Sequence, residues 1–183
     1  LKILDENGNH MPAGELGTIC VKSPDPVMFL EYWKNPQATE EKFITDANGD
    51  RWLDTGDKAI MDEDDWIFFV GRADDVINSA GYRIGPAEVE NSLLSHPAIA
   101  SSAVIGIPDE ARGELVKAFI ILKDGETPSD ELAAEIQNHV KKRLAGHEFS
   151  RAVEFVTELP MTATGKIQRK VLRERDAAKT AAS

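Results

Sequence analysis

The stretch Gly71-Arg72-Ala73-Asp74-Asp75-Val76-Ile77-Asn78-Ser79-Ala80-Gly81-Tyr82-Arg83-Ile84-Gly85-Pro86-Ala87-Glu88-Val89-Glu90 packs fixed charges, interior glycines and a helix start into one short segment. It is also where the pattern of the chain changes. Before it, residues 1–73 read as mostly β, and from residue 74 to residue 183 helices and strands alternate. The expectation is therefore an α+β chain: an antiparallel β subdomain over 1–73, then a small mixed α/β domain over 74–183 with a three-stranded sheet flanked by helices. Each part is within or near ordinary domain size.

Working outward on the carboxyl side, Pro86–His96 reads as a helix: Pro86 suits its first turn, Glu88 and Glu90 its positive end, and Pro97 stops it. Ile99–Ile107 and Leu115–Leu122 read as strands, and Val153–Val156 as a third. Ser129 caps a helix running to about Leu144, with Leu132, Ile136, Val140 and Leu144 on one face. Gln168–Arg175 starts a last helix, with an alanine-rich tail after Asp176 expected to fray. On the amino side, Leu16–Lys22 and Trp66–Val70 read as strands, and Asn35-Pro36 opens a short helix through Gln37–Phe43. Asp46–Asp50 and the acidic Asp62–Asp65 read as turns. Leu1–Leu4 already alternates like a strand, without an initiator Met, which suggests a piece of a longer polypeptide.

Composition narrows the function. A net charge of -11 argues against nucleic-acid binding, which needs a surplus of Lys and Arg on one face. A small phosphorylated ligand needs only a local group of donors and stays allowed. Cys20 is the sole cysteine, so no intrachain disulfide forms and nothing points to secretion. No apolar run approaches the ~20 residues of a membrane span, and no targeting segment is evident, so a cytoplasmic location is expected. His10, His96, His139 and His147 lack metal-ligand spacing.

Nine positions carry candidate chemistry on residue type. In Thr55-Gly56-Asp57 a carboxylate follows a glycine that lets the backbone turn; its two oxygens suit vicinal ribose hydroxyls, or it caps its own loop. Arg72 and Arg83 offer rigid donor forks for phosphate and ribose oxygens, or pair with Asp74, Asp75 or Glu88 on the surface. Gly81 sits in a segment reading as a strand, where glycine marks close approach of a ligand or backbone, or a bulge. Lys166, in Pro160-Met161-Thr162-Ala163-Thr164-Gly165-Lys166-Ile167-Gln168-Arg169, is a loop ammonium. Arg169, Lys170, Arg173 and Arg175 are either phosphate-steering cations or ordinary helix electrostatics.

Taken together, Trp52–Asp57, Gly71–Glu90 and Thr164-Gly165-Lys166 resemble the carboxy-terminal motifs of the adenylate-forming superfamily: acyl-CoA synthetases, adenylation domains of peptide synthetases, and luciferases. The resemblance implies that Asp57 binds the ribose of ATP and AMP, that Arg72 lies near that ribose and that Arg83 reaches the phosphates. It implies that Asp74 is the hinge about which the carboxy-terminal domain turns between half-reactions, and that Gly81 lies against the pantetheine arm of CoA. Lys166 becomes the catalytic residue, an ammonium stabilising phosphoryl charge that develops as a carboxylate attacks ATP.

The implied reaction joins a small-molecule carboxylate, ATP and CoA into acyl-CoA, AMP and pyrophosphate through an acyl-adenylate, closest to acetyl- and medium-chain-type synthetases. Mg²⁺ would accompany ATP, with no residue here to hold it. The resemblance spans the whole chain but roughly the last third of a typical member. The missing amino-terminal domain, with its phosphate loop and acyl pocket, is an implied partner, so the 183 residues alone are expected to be inactive. Gly146-His147-Glu148-Phe149-Ser150 departs from the proline-containing turn of many relatives. Two alternatives remain: an adenylation module loading a carrier protein, and a non-catalytic interaction domain that kept the fold.

Overall fold

The computed structural model describes residues 1–144 and 150–181. Most of the Gly146–Ser150 departure lies outside the described residues. The chain divides into two compact units, Leu1–Asp74 and Asp75–Ser183.

The first unit is antiparallel. Its strands are β1 (Lys2–Leu4), β2 (Leu16–Lys22), β3 (Phe43–Thr45), β4 (Arg51–Met61) and β5 (Ile67–Arg72), with a short helix α1 (Pro36–Glu40) between β2 and β3. The helix is shorter than the sequence suggests because Phe43 leaves it to pair with Leu53. β4 is the long central strand: β2 runs along one edge, while β3 and β5 share the other at successive positions. Leu4, Cys20 and Trp52 form a small core, and burial pushes the Cys20 thiol up to about 12. Trp52 also donates from Nε1 to Asp46 Oδ2 at 3.0 Å, while Asp46 Oδ1 accepts from the N–H groups of Asn48 and Asp50. This ties the Asp46–Asp50 turn to the start of β4.

The second unit holds β6 (Ile77–Ser79), β7 (Tyr82–Ile84), α2 (Pro86–Leu94), β8 (Ile99–Asp109), β9 (Gly113–Leu122), α3 (Asp130–Arg143), β10 (Ala152–Phe155) and α4 (Arg169–Ala181). Pro86 stands in the first turn of α2, and Ser129 Oγ accepts the Leu132 N–H at 3.1 Å to cap α3. α4 continues through the alanine-rich tail to Ala181 rather than fraying after Asp176: beyond that residue Lys179 bonds Glu154, and Thr180 Oγ1 donates to the Asp176 carbonyl at 3.1 Å.

The three expected strands are β8, β9 and β10, but the sheet has five. β8 pairs antiparallel along the length of β9; β10 runs parallel to β9 on its other edge, and the β6–β7 hairpin joins that edge at Ser79 opposite Gly113. The period of two sorts side chains to two faces. Val104, Val116, Ala118 and Ile120 pack with Val89 and Leu93 of α2 and Ile136 and Val140 of α3. Ala103, Ile105 and Phe119 pack with Leu159 and with Leu172 of α4. Among the described residues no helix is long and apolar enough to cross a membrane.

Candidate functional site

In the first unit the structure brings Asp57, Arg72 and Asp74 together. Thr55-Gly56-Asp57 is a bulge inside β4 rather than the loop its composition suggests. Between the pairs Thr18–Lys58 and Cys20–Asp54, β2 has one residue where β4 has three, and Gly56 adopts a φ of +75°. A bulge of this kind bends the strand and re-aims its side chains. Its polar groups are satisfied locally: Gly56 N–H donates to Asp54 Oδ1 at 2.6 Å, Thr55 Oγ1 donates to the Ile19 carbonyl at 2.8 Å, and Ala73 N–H donates to the Gly56 carbonyl.

Asp57 pairs with Arg72 across β4 and β5. Arg72 Nη1 donates to Asp57 Oδ1 at 2.8 Å and to the Thr55 carbonyl at 3.0 Å, and its Nε lies 3.8 Å from Asp74 Oδ1. A β-carbon on Gly56 would stand 2.8 Å from Arg72 Nη2, so the glycine leaves room for the guanidinium. Arg72 thus fixes one oxygen of Asp57, while Oδ2 has no hydrogen-bond partner among the described residues and remains an open acceptor.

Gly81, Arg83 and Lys166 belong to the second unit. Ala80 and Gly81 have φ of +52° and +84° and close a two-residue turn between the paired Ser79 and Tyr82. Gly81 is therefore a hairpin-turn residue and neither a strand glycine nor a bulge; two successive positive φ values suit the right-handed twist of the flanking strands. Nothing lies within 4 Å of a β-carbon built on Gly81, so the backbone here is open to an approaching group. Arg83 projects from the exposed part of β7 opposite Asn78. Its guanidinium has no ion-pair or hydrogen-bond partner among the described residues, whereas Arg72 does approach Asp74.

Lys166 stands on a compact hairpin rather than an unstructured loop. Met161 pairs with Ile167, Thr162 N–H donates to the Lys166 carbonyl at 2.8 Å, and Lys166 N–H donates to Thr162 Oγ1 at 3.1 Å. Gly165, with φ of +79°, supplies the turn. Gln168 closes the base, its N–H on the Pro160 carbonyl and its side chain on the Met161 carbonyl. The Lys166 ammonium is exposed and has no partner among the described residues. No bond links Lys166 with Arg83.

Sequence reasoning missed how Arg169 and Arg173 are used. Instead of facing solvent they engage carboxylates: Arg169 meets Glu90 and Asp75, and Arg173 meets Asp75. Their spacing of four, on one face of α4, was the only available signal. Lys170 stays exposed beside Glu174.

Residues 88–166 match the AMP-binding enzyme C-terminal domain family. The chain is 49% identical to the acyl-coenzyme A synthetase ACSM4, mitochondrial, of Mus musculus, over 96% of this chain and 30% of that protein. It is 46% identical to the acetyl-coenzyme A synthetase of Bacillus subtilis, over 93% of this chain and 29% of that one. Among solved structures, the anthranilate CoA ligase AuaEII in complex with anthranoyl-AMP superimposes with a TM-score of 0.81 at 43% identity, covering 99% of this chain and 33% of that chain. The chain thus spans about 30% of the length of the curated relatives it matches.

Proposed function

From the match of residues 88–166 to the AMP-binding enzyme C-terminal domain family, we propose that the chain serves as the carboxy-terminal portion of an AMP-forming acyl-CoA synthetase. The observation that carries this reading is the likeness to acyl-CoA synthetases along nearly the whole chain, an alignment that takes in both the Asp57–Arg72 pair and the Lys166 hairpin. In this reading residues 1–73 end the domain that binds ATP and the acid, and residues 74–183 form the domain that turns about Asp74. Trp66, Phe68 and Phe69, between 57% and 70% exposed on the first unit, give that larger domain an apolar surface to cover.

The residues divide between two half-reactions. Asp57, held by Arg72, presents its free oxygen to a ribose hydroxyl of ATP. Arg83 and Lys166 supply positive charge to phosphoryl oxygens while a carboxylate oxygen attacks the α-phosphorus; the new oxygen–phosphorus bond makes the mixed anhydride as the bond to pyrophosphate breaks. Charge that grows in the transition state is where an ammonium contributes most. In the second half-reaction the CoA thiol attacks the acyl carbon and AMP leaves, with the open turn at Gly81 giving the pantetheine arm room to pass. Mg²⁺ is expected with the ATP, and we assign no residue of this chain to it. A cytoplasmic location belongs to the same reading.

The test is carboxylate-dependent AMP release, with CoA present, by the enzyme that contains this chain. The panel runs from acetate through decanoate and includes benzoate and anthranilate. AMP release on one class, with acyl-CoA formed in equal amount, supports the reading. Acyl-adenylate formation without transfer to CoA would move the assignment to a different thiol acceptor.

A further inference from the structure

Asp74 and Asp75 are neighbours in opposite surroundings. The Asp74 side chain is 73% exposed, whereas that of Asp75 is 14% exposed and has both oxygens engaged. Arg173 Nη1 donates to Asp75 Oδ1 at 3.0 Å, and Arg169 Nη1 donates to Asp75 Oδ2 at 3.3 Å. Arg169 Nη2 reaches both oxygens of Glu90 at 2.8 Å, and Glu90 Oε1 also accepts the Val104 N–H at 2.8 Å. Two cations and two carboxylates thus close a charge-balanced cluster that joins the residue opening the second unit, helix α2, strand β8 and the first residue of α4.

This cluster is rigid by construction. Burial opposes the charge on Arg169, but the Glu90 and Asp75 carboxylates outweigh it and hold its pKa above the ordinary value. A planar guanidinium bridging two carboxylates has few alternative geometries, and breaking one contact leaves a partly buried charge without its partner. Arg169 also follows the Lys166 hairpin directly: Ile167 pairs with Met161 and packs against the Phe119–Leu172 cluster, and Gln168 bonds Pro160 and Met161. The hairpin carrying Lys166 is therefore seated on the Phe119–Leu172 apolar cluster and joined to the charge cluster through the chain at Gln168–Arg169.

We propose that Arg169 is a positioning residue for Lys166: by clamping the start of α4 onto Asp75 and Glu90, it fixes where the Lys166 hairpin stands relative to the residue that follows the hinge. The proposal rests on the function put forward above. Arg169 touches no substrate; its effect passes through the placement of an ammonium whose value depends on position.

The test compares Arg169→Gln, Arg169→Lys, Glu90→Gln and Lys166→Ala in the enzyme containing this chain. The half-reactions are read separately, as carboxylate-dependent ATP–pyrophosphate exchange and as CoA acylation from supplied acyl-adenylate, beside the melting temperature. The expected result for Arg169→Gln is a fall of about 10²-fold in the kcat of exchange, the scale of a misplaced catalytic group. The KM for ATP should stay near the wild-type value, and CoA acylation should change by less than about threefold. Arg169→Lys should recover part of the exchange, since an ammonium meets one carboxylate where the fork meets two. If Arg169→Gln does not fold, Glu90→Gln, which keeps the contact to Asp75, should show the same split to a smaller degree. Unchanged exchange, or equal loss of both half-reactions in step with melting temperature, overturns the proposal. Full exchange by Lys166→Ala would instead overturn the functional reading beneath it.

Discussion

The Arg72 guanidinium lies across Gly56, its Nη2 standing 2.8 Å from where a β-carbon would be. The same guanidinium donates to Asp57 Oδ1 at 2.8 Å. The glycine therefore does two things in one bulge: it adopts a left-handed backbone, and it lets an arginine from the neighbouring strand lie flat over it and orient a carboxylate.

Gly56→Ala tests that arrangement. The side chain of Arg72 can swing away, so the steric clash is cheap, but the φ of +75° is not: an L-residue there costs about 1–2 kcal/mol. The variant should melt a few degrees lower, and in the enzyme containing this chain the KM for ATP should rise several-fold as Asp57 loses its partner. Thermal melts and ATP titrations check this; an unchanged KM would detach Asp57 from nucleotide binding.

Gly81→Ala should separate backbone from site. Space is open around Gly81, so the stability loss should again be about 1–2 kcal/mol from its φ of +84°. If CoA passes this turn, acyl transfer to CoA should fall further than pyrophosphate exchange. Equal effects on both would make Gly81 a turn residue only.

A pH dependence follows from the second unit. Lys117 bonds Asp176 and lies 2.9 Å from Glu154, which also meets Lys179. Burial raises the Glu154 pKa, but the hydrogen bonds from Lys179 and Lys117 outweigh it, so the carboxyl titrates below its ordinary 4.5. A depressed carboxylate contributes stability above the unfolded value and loses it as pH falls through the folded one. The chain should lose melting temperature as the pH drops below about 4.5. Glu154→Gln should lower stability at pH 7 by about 1–2 kcal/mol and flatten that acid limb. A variant with the wild-type pH profile would remove Glu154 from the cause.

The 183-residue chain on its own should not catalyse pyrophosphate exchange, because it spans only about 30% of the length of the acyl-CoA synthetases it resembles. Exchange by the purified chain, free of contaminating enzyme, would contradict the division of labour between this chain and a larger domain.

Local signals explain what the sequence made visible. Pro86, Ser129 and the apolar positions of α3 mark their helices because caps and periodicity act within a few residues. The long β8–β9 pair was equally legible. The β6–β7 hairpin was not, because Ala80 takes a φ of +52° that its identity does not advertise, leaving Gly81 to look like an interruption in a strand. Thr55–Asp57 read as a loop because a bulge is defined by the partner strand, and no residue of β2 is near it in sequence. The Arg169–Asp75 contact joins residues 94 positions apart, and charged side chains at both ends look like surface residues until the fold encloses them.

The most direct test of the account is Lys166→Ala, with both half-reactions measured in the enzyme that contains this chain. The side chain is exposed and unpartnered among the described residues, so the melting temperature should not move. Pyrophosphate exchange should fall by about 10²–10³-fold, the range for loss of one donor to a developing oxyanion, while acyl transfer from supplied acyl-adenylate to CoA persists. Exchange at the wild-type rate, or loss of both half-reactions together, would contradict the assignment of Lys166 to the adenylation step.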